Sequence, residues 1–130
     1  MSEQSDSSQD DSELKSSVSI DLTPECQQSI RSLSKRYLSL RSDLETVLDE
    51  IKNGSFIGDR IPGIGEDYII IKLRVRNTDI RKGKSVGYRL IYQVESPTSV
   101  LLLTIYSKSD REDISVNEIK EILSNFYTCD

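Results

Sequence analysis

Tyr68 to Arg111 reads YIIIKLRVRNTDIRKGKSVGYRLIYQVESPTSVLLLTIYSKSDR, and the spacing of its apolar residues decides the fold. Ile69, Ile71, Leu73 and Val75 alternate with Ile70, Lys72, Arg74 and Arg76. A period of two is that of a strand, so the first set lies on one face and the cations on the other. Tyr88, Leu90, Tyr92 and Val94 repeat the pattern against Arg89, Ile91 and Gln93. Val100 to Tyr106 is apolar almost throughout, as a central strand covered on both faces is. The basic turn Arg81-Lys82-Gly83-Lys84 joins the first two strands, and Glu95-Ser96-Pro97-Thr98 joins the second to the third. The stretch predicts a sheet with an apolar face and a cationic face. The rest of the chain is expected to cover the first and leave the second open.

Upstream, Ser17 to Leu22 alternates and predicts a short first strand. Thr23-Pro24-Glu25 is a helix start: Thr as N-cap, Pro at the first helical position, an acid in the first turn. Cys26, Ile30, Leu33 and Tyr37 form one helical stripe. After a break near Ser39 or Ser42, Leu40, Leu44, Val47, Leu48 and Ile51 form a second, closed by Gly54. Phe56 to Asp67 reads as a Gly/Pro loop. Downstream, Ser115-Val116-Asn117-Glu118 has the form of a capping box and opens a last helix striped by Ile119, Ile122, Leu123 and Phe126. The predicted class is α+β, in the order β-α-α-β-β-β-α: a small, mostly antiparallel sheet with a helical hairpin on one face and a C-terminal helix.

At 130 residues the chain holds one domain. Its formal charge of −5 argues against a polyanionic partner, but the distribution reverses that impression. Residues 1–16 carry Glu3, Asp6, Asp10, Asp11 and Glu13 against Lys15, and their composition predicts a disordered acidic tail. Residues 68–91 carry Lys72, Arg74, Arg76, Arg81, Lys82, Lys84 and Arg89 against Asp79 alone. Phosphate binding depends on the local field, so the acidic whole does not exclude a nucleic acid. Cys26 and Cys129 suggest neither a disulfide scaffold nor a metal site, and the absence of His removes the commonest zinc ligand and paired-histidine catalysis. No cofactor is expected. No stretch is long and apolar enough to span a bilayer, and no signal pattern opens the chain, so the expected location is the cytoplasm.

Two phosphate-binding patterns fail on inspection. The loop glycines of residues 56–67 precede no helix. Gly83-Lys84-Ser85 ends like a Walker A motif, but Thr78 stands where its first Gly belongs and a strand follows.

The strand cluster resembles the RelE/ParE superfamily of toxins from type II toxin–antitoxin pairs. Ile71-Lys72-Leu73-Arg74, Gly87-Tyr88-Arg89-Leu90-Ile91-Tyr92-Gln93-Val94 and Ser107-Lys108-Ser109-Asp110-Arg111 carry the resemblance. The ending from Lys108 to Ser115 is similar to the HigB-type branch. The likeness implies a RelE-like toxin domain over residues 17–130, cleaving messenger RNA on the ribosome without a metal. It also implies a cognate antitoxin as partner. Its catalytic set corresponds here to Lys72, Arg74, Arg89, Lys108 and Arg111, with Arg76, Arg81, Lys82 and Lys84 contacting RNA. Where the RelE branch carries a further Lys, an Arg and a Tyr, this chain has Ile70, Ser109 and Ser115. Asp110, Glu112 and Asp113 are candidate carboxylate bases. The alternative implied function is non-catalytic: a ParE-like gyrase inhibitor, or a degenerate toxin acting through antitoxin and operator binding.

Overall fold

In a computed structural model, which describes residues 17–79 and 87–128, the chain alternates short strands with three helices. They are β1 (Ser19–Leu22), α1 (Pro24–Arg36), α2 (Leu40–Lys52), β2 (Asp59–Arg60), β3 (Ile69–Val75), β4 (Tyr88–Ser96), β5 (Ser99–Ser107) and α3 (Val116–Thr128). The strands form one sheet in the order β1-β5-β4-β3-β2, antiparallel except where β1 runs parallel to β5. The class is α+β, as the periodicities predict. The acidic tail and the basic turn carrying Arg81, Lys82 and Lys84 lie outside the described residues.

The helical hairpin packs on the face expected for it. Ile71, Leu73, Val75, Tyr88, Leu90 and Tyr92 from the sheet meet Cys26, Ile30, Leu33, Leu40, Leu44 and Ile51 from α1 and α2 in one buried cluster. Thr23 fixes α1 to the sheet. Its Oγ1 accepts the Cys26 amide at 3.0 Å and donates to the Leu103 carbonyl at 2.6 Å, so one hydroxyl caps the helix and ties it to β5. Cys26 is buried, with its thiol pushed up to about 12 by desolvation, which fits a small core residue. Ile69 departs from its strand-mates: at the sheet's end it is 39 % exposed.

The structure corrects the expectations in two ways. First, the 56–67 segment is not all loop, because Asp59 and Arg60 pair with Lys72 and Ile71 as the edge strand β2. Gly58, at φ 121°, permits the approach. A Cβ there would lie 2.6 Å from Ile71 Cγ2 and 2.8 Å from the Lys72 carbonyl. Second, the cationic face is not left open. Ile70, Ile91, Leu101, Leu103 and Tyr106 on that side are buried against Ile64, Ile114, Ile119, Ile122 and Leu123. Helix α3 thus builds a second core, and among the described residues it leaves the end of the face carrying Arg74 and Arg76 exposed. No described helix is long and apolar enough to cross a membrane.

Candidate nucleic-acid interface

The uncovered end is set by strand register. Lys72, Arg74 and Arg89 share the parity of the second core but lie toward the β3–β4 turn. Arg74 is the direct partner of Arg89, and Lys72 the partner of Ile91. Directly opposed residues in an antiparallel pair have Cβ atoms about 4.5–5.5 Å apart, so the two Arg side chains start as close neighbours. Arg74 is exposed and Arg89 half-buried. Arg89 donates to the Tyr88 carbonyl at 3.2 Å, and among the described residues no carboxylate pairs with either Arg. Arg76 continues the parity one step beyond the strand and is exposed.

Across β4 on the other side, Arg89 pairs with Tyr106 of β5. Sequence reading missed this tyrosine for a definite reason. Strict alternation from Val100 would put Tyr106 on the hairpin face with Leu102. A bulge opposite the Ile91/Tyr92 step adds one residue to β5 and turns Tyr106 over beside Arg89. No periodicity announces a bulge inside Leu101-Leu102-Leu103-Thr104, all apolar but the last. Burial pushes the Tyr106 hydroxyl up to about 12, so it is a neutral donor at physiological pH.

Lys108 leaves the end of β5 at this same margin, its amide bonded to the Gly87 carbonyl at 2.9 Å. Among the described residues no carboxylate pairs with its ammonium. Two of the five predicted catalytic cations are held differently. Lys72 Nζ lies 3.0 Å from Asp113 Oδ1. Arg111 grips Glu118 through two hydrogen bonds of 2.9 and 2.7 Å, and its guanidinium lies over the Tyr106 ring at 5.3 Å. Arg111 is thus a strut between β5 and α3, with both forks engaged.

The three positions where the RelE branch carries other residues have local structural uses. Ile70 is fully buried in the second core. Ser109 shares a hydrogen bond with Ser107 at 2.9 Å. Ser115 accepts the Glu118 amide at 3.1 Å as helix cap. Glu118 in turn is held below its ordinary value first by Arg111 and then also by the Ser115 backbone amide, the reciprocal half of the capping box.

Of the three candidate carboxylate bases, Glu112 is exposed, while Asp110 and Asp113 are engaged. Asp110 forms a bidentate pair with Arg36 at 2.6 and 3.1 Å. Asp113 is held below the usual carboxylate range, first by Lys72 and then by the Ile114 amide. A lowered pKa makes it a weak base at neutral pH. Among the described residues no group of three or more His, Cys, Asp or Glu side chains could hold a metal ion.

The register therefore brings together Arg74, Arg89, Tyr106 and the tethered Lys72, with Lys108 and Arg76 at the margin. That arrangement can bind phosphate oxygens through two Arg forks and stabilise added negative charge on them. Comparison with protein-family models and with curated proteins gave no match to the chain.

Proposed function

We propose that this chain is the toxin of a type II toxin–antitoxin pair, a ribosome-dependent endoribonuclease that cleaves messenger RNA with a Lys/Arg cluster and no metal. The observation that carries the reading is the direct opposition of Arg74 and Arg89, with no carboxylate partner among the described residues, beyond the part of the face that α3 covers. Two guanidinium groups on directly opposed residues, with no carboxylate partner among the described residues, suit an anion, and a phosphodiester supplies it.

In the proposed reaction the RNA 2′-oxygen attacks the adjacent phosphorus as the 2′-hydroxyl loses its proton. The new O2′–P bond forms as the P–O5′ bond breaks, leaving a 2′,3′-cyclic phosphate and a protonated 5′-hydroxyl. Arg74 and Arg89 stabilise the charge gathered on the equatorial oxygens, the effect that is usually the largest catalytic term. Lys108 adds a point charge at the margin. Such a toxin acts in the cytoplasm on translating ribosomes, and its antitoxin covers the cationic end.

A second reading has its own support. Lys72 and Arg111 are neutralised internally, and Ile70 is a core residue, which favours a protein that binds without cutting. Induced expression in bacteria with mapping of new RNA 5′ ends separates the two. In-frame cuts within translated messages support the enzyme; growth arrest without new ends supports the binding protein.

A further inference from the structure

Asp113 stands out because three donors from three segments converge on one of its oxygens. Oδ1 accepts Lys72 Nζ from β3 at 3.0 Å, the Ile114 amide at 2.8 Å and the Tyr106 hydroxyl from β5 at 3.4 Å. An ammonium, a backbone N–H and a hydroxyl around one anionic oxygen make a cradle equally suited to a phosphate oxygen. The Asp113 side chain is nevertheless 61 % exposed, and an ion pair so open to water adds little to folding. Its removal leaves the cradle standing. Ile114 is buried, which holds its amide in place. On either side, Asp110 is clamped by Arg36 and Arg111 by Glu118. Only the carboxylate needs to rotate outward.

We propose that in the free protein Asp113 occupies the seat of an RNA phosphate, and that a phosphodiester displaces it from Lys72, the Ile114 amide and Tyr106. The contact is autoinhibitory: the protein carries its own competitor for the anion site. This rests on reading the cationic end as an RNA site, and it names one subsite and its regulation.

The test measures binding rather than cleavage, by fluorescence anisotropy with a short, fully 2′-O-methylated RNA that cannot be cut. D113N, nearly isosteric, should tighten binding by about two- to fivefold, the range that loss of an exposed ion pair allows. E112Q removes the same charge from the neighbouring exposed position and should gain less. In a K72Q background the difference between D113N and E112Q should vanish, because the cradle has lost its main donor. Equal gains from D113N and E112Q would overturn the proposal, as would a difference that survives K72Q. So would the absence of measurable RNA binding by all variants, or preferential binding of a poly-glutamate peptide over the RNA. Failure of the nuclease reading looks different: the binding pattern holds while no messages are cut.

Discussion

Arg74 on β3 stands directly across from Arg89 on β4, and no described carboxylate neutralises either. Like charges opposed across strands destabilise a sheet, by about 0.2–1 kcal/mol on the scale of cross-strand pairs. Arg74→Gln should therefore raise the unfolding free energy, read from urea melts, by that amount while weakening RNA binding. A stabilised variant that still binds RNA at full strength would show that the pair has no role in recognition.

The covering of the cationic face by α3 gives a second prediction. Ile91 shares the parity of Arg89 yet is fully buried in the second core. Ile91→Ala should cost about 2–5 kcal/mol, the usual range for deleting a buried branched side chain. A loss within about 0.5 kcal/mol, typical of surface sites, would mean that α3 does not seal this face in solution.

Gly87 closes the root of the β3–β4 pair, where an added Cβ would collide with the Val75 carbonyl. That obstacle is backbone and cannot swing aside. Gly87→Ala should lower the thermal midpoint and weaken RNA binding together, because Tyr88 and Arg89 follow it directly. A variant as stable as the parent would contradict the close approach.

Acid should unfold the protein through the segment joining β5 to α3. Asp110, Asp113 and Glu118 are all held below their ordinary values by Arg36, Lys72 and Arg111 respectively. A carboxylate depressed on folding contributes stability above its unfolded pKa and loses it as pH falls through the folded one. With unfolded values of about 3.9 for Asp and about 4.3 for Glu, stability should be level from neutral pH to about 5 and fall below that. Exposure limits the Lys72–Asp113 and Arg111–Glu118 pairs to at most about 1 kcal/mol each. Urea midpoints taken across pH should fall less steeply in D113N/E118Q than in the parent. An unchanged acid slope would mean the pairs are not formed in solution.

Much of this was legible in the sequence, for physical reasons tied to particular residues. Alternation in Ile69–Arg76 and Tyr88–Val94 fixed the parity of Lys72, Arg74 and Arg89, because one buried face penalises any slip of register. The Thr23-Pro24-Glu25 start and the two helical stripes placed the hairpin, with the break falling at Ser39. Three features were hidden. Strand β2 is two residues long and sits among glycines that read as loop. The β5 bulge lies in an almost wholly apolar run, so period two could not report the turning of Tyr106. The second core was hidden because Ile70 and Ile91 alternate with cations, and their burial depends on where α3 lands. The ion pairs of Lys72 and Arg111 depend on the same placement, since their acids lie in or just before that helix.

The single-turnover rate of messenger RNA cleavage on saturating ribosomes, parent against Arg89→Gln, tests the central claim most directly. If Arg89 stabilises the transition state, the variant should cut at least about a hundredfold more slowly, a barrier increase of about 2.7–4 kcal/mol, with ribosome affinity nearly unchanged. Lys82→Gln, in the basic segment between β3 and β4 that the sequence predicts as a turn, should weaken binding and its salt dependence yet leave the saturated rate nearly intact. Equal and modest losses from both substitutions, or no cleavage by the parent, would contradict the account and leave the cationic end as a binding surface only.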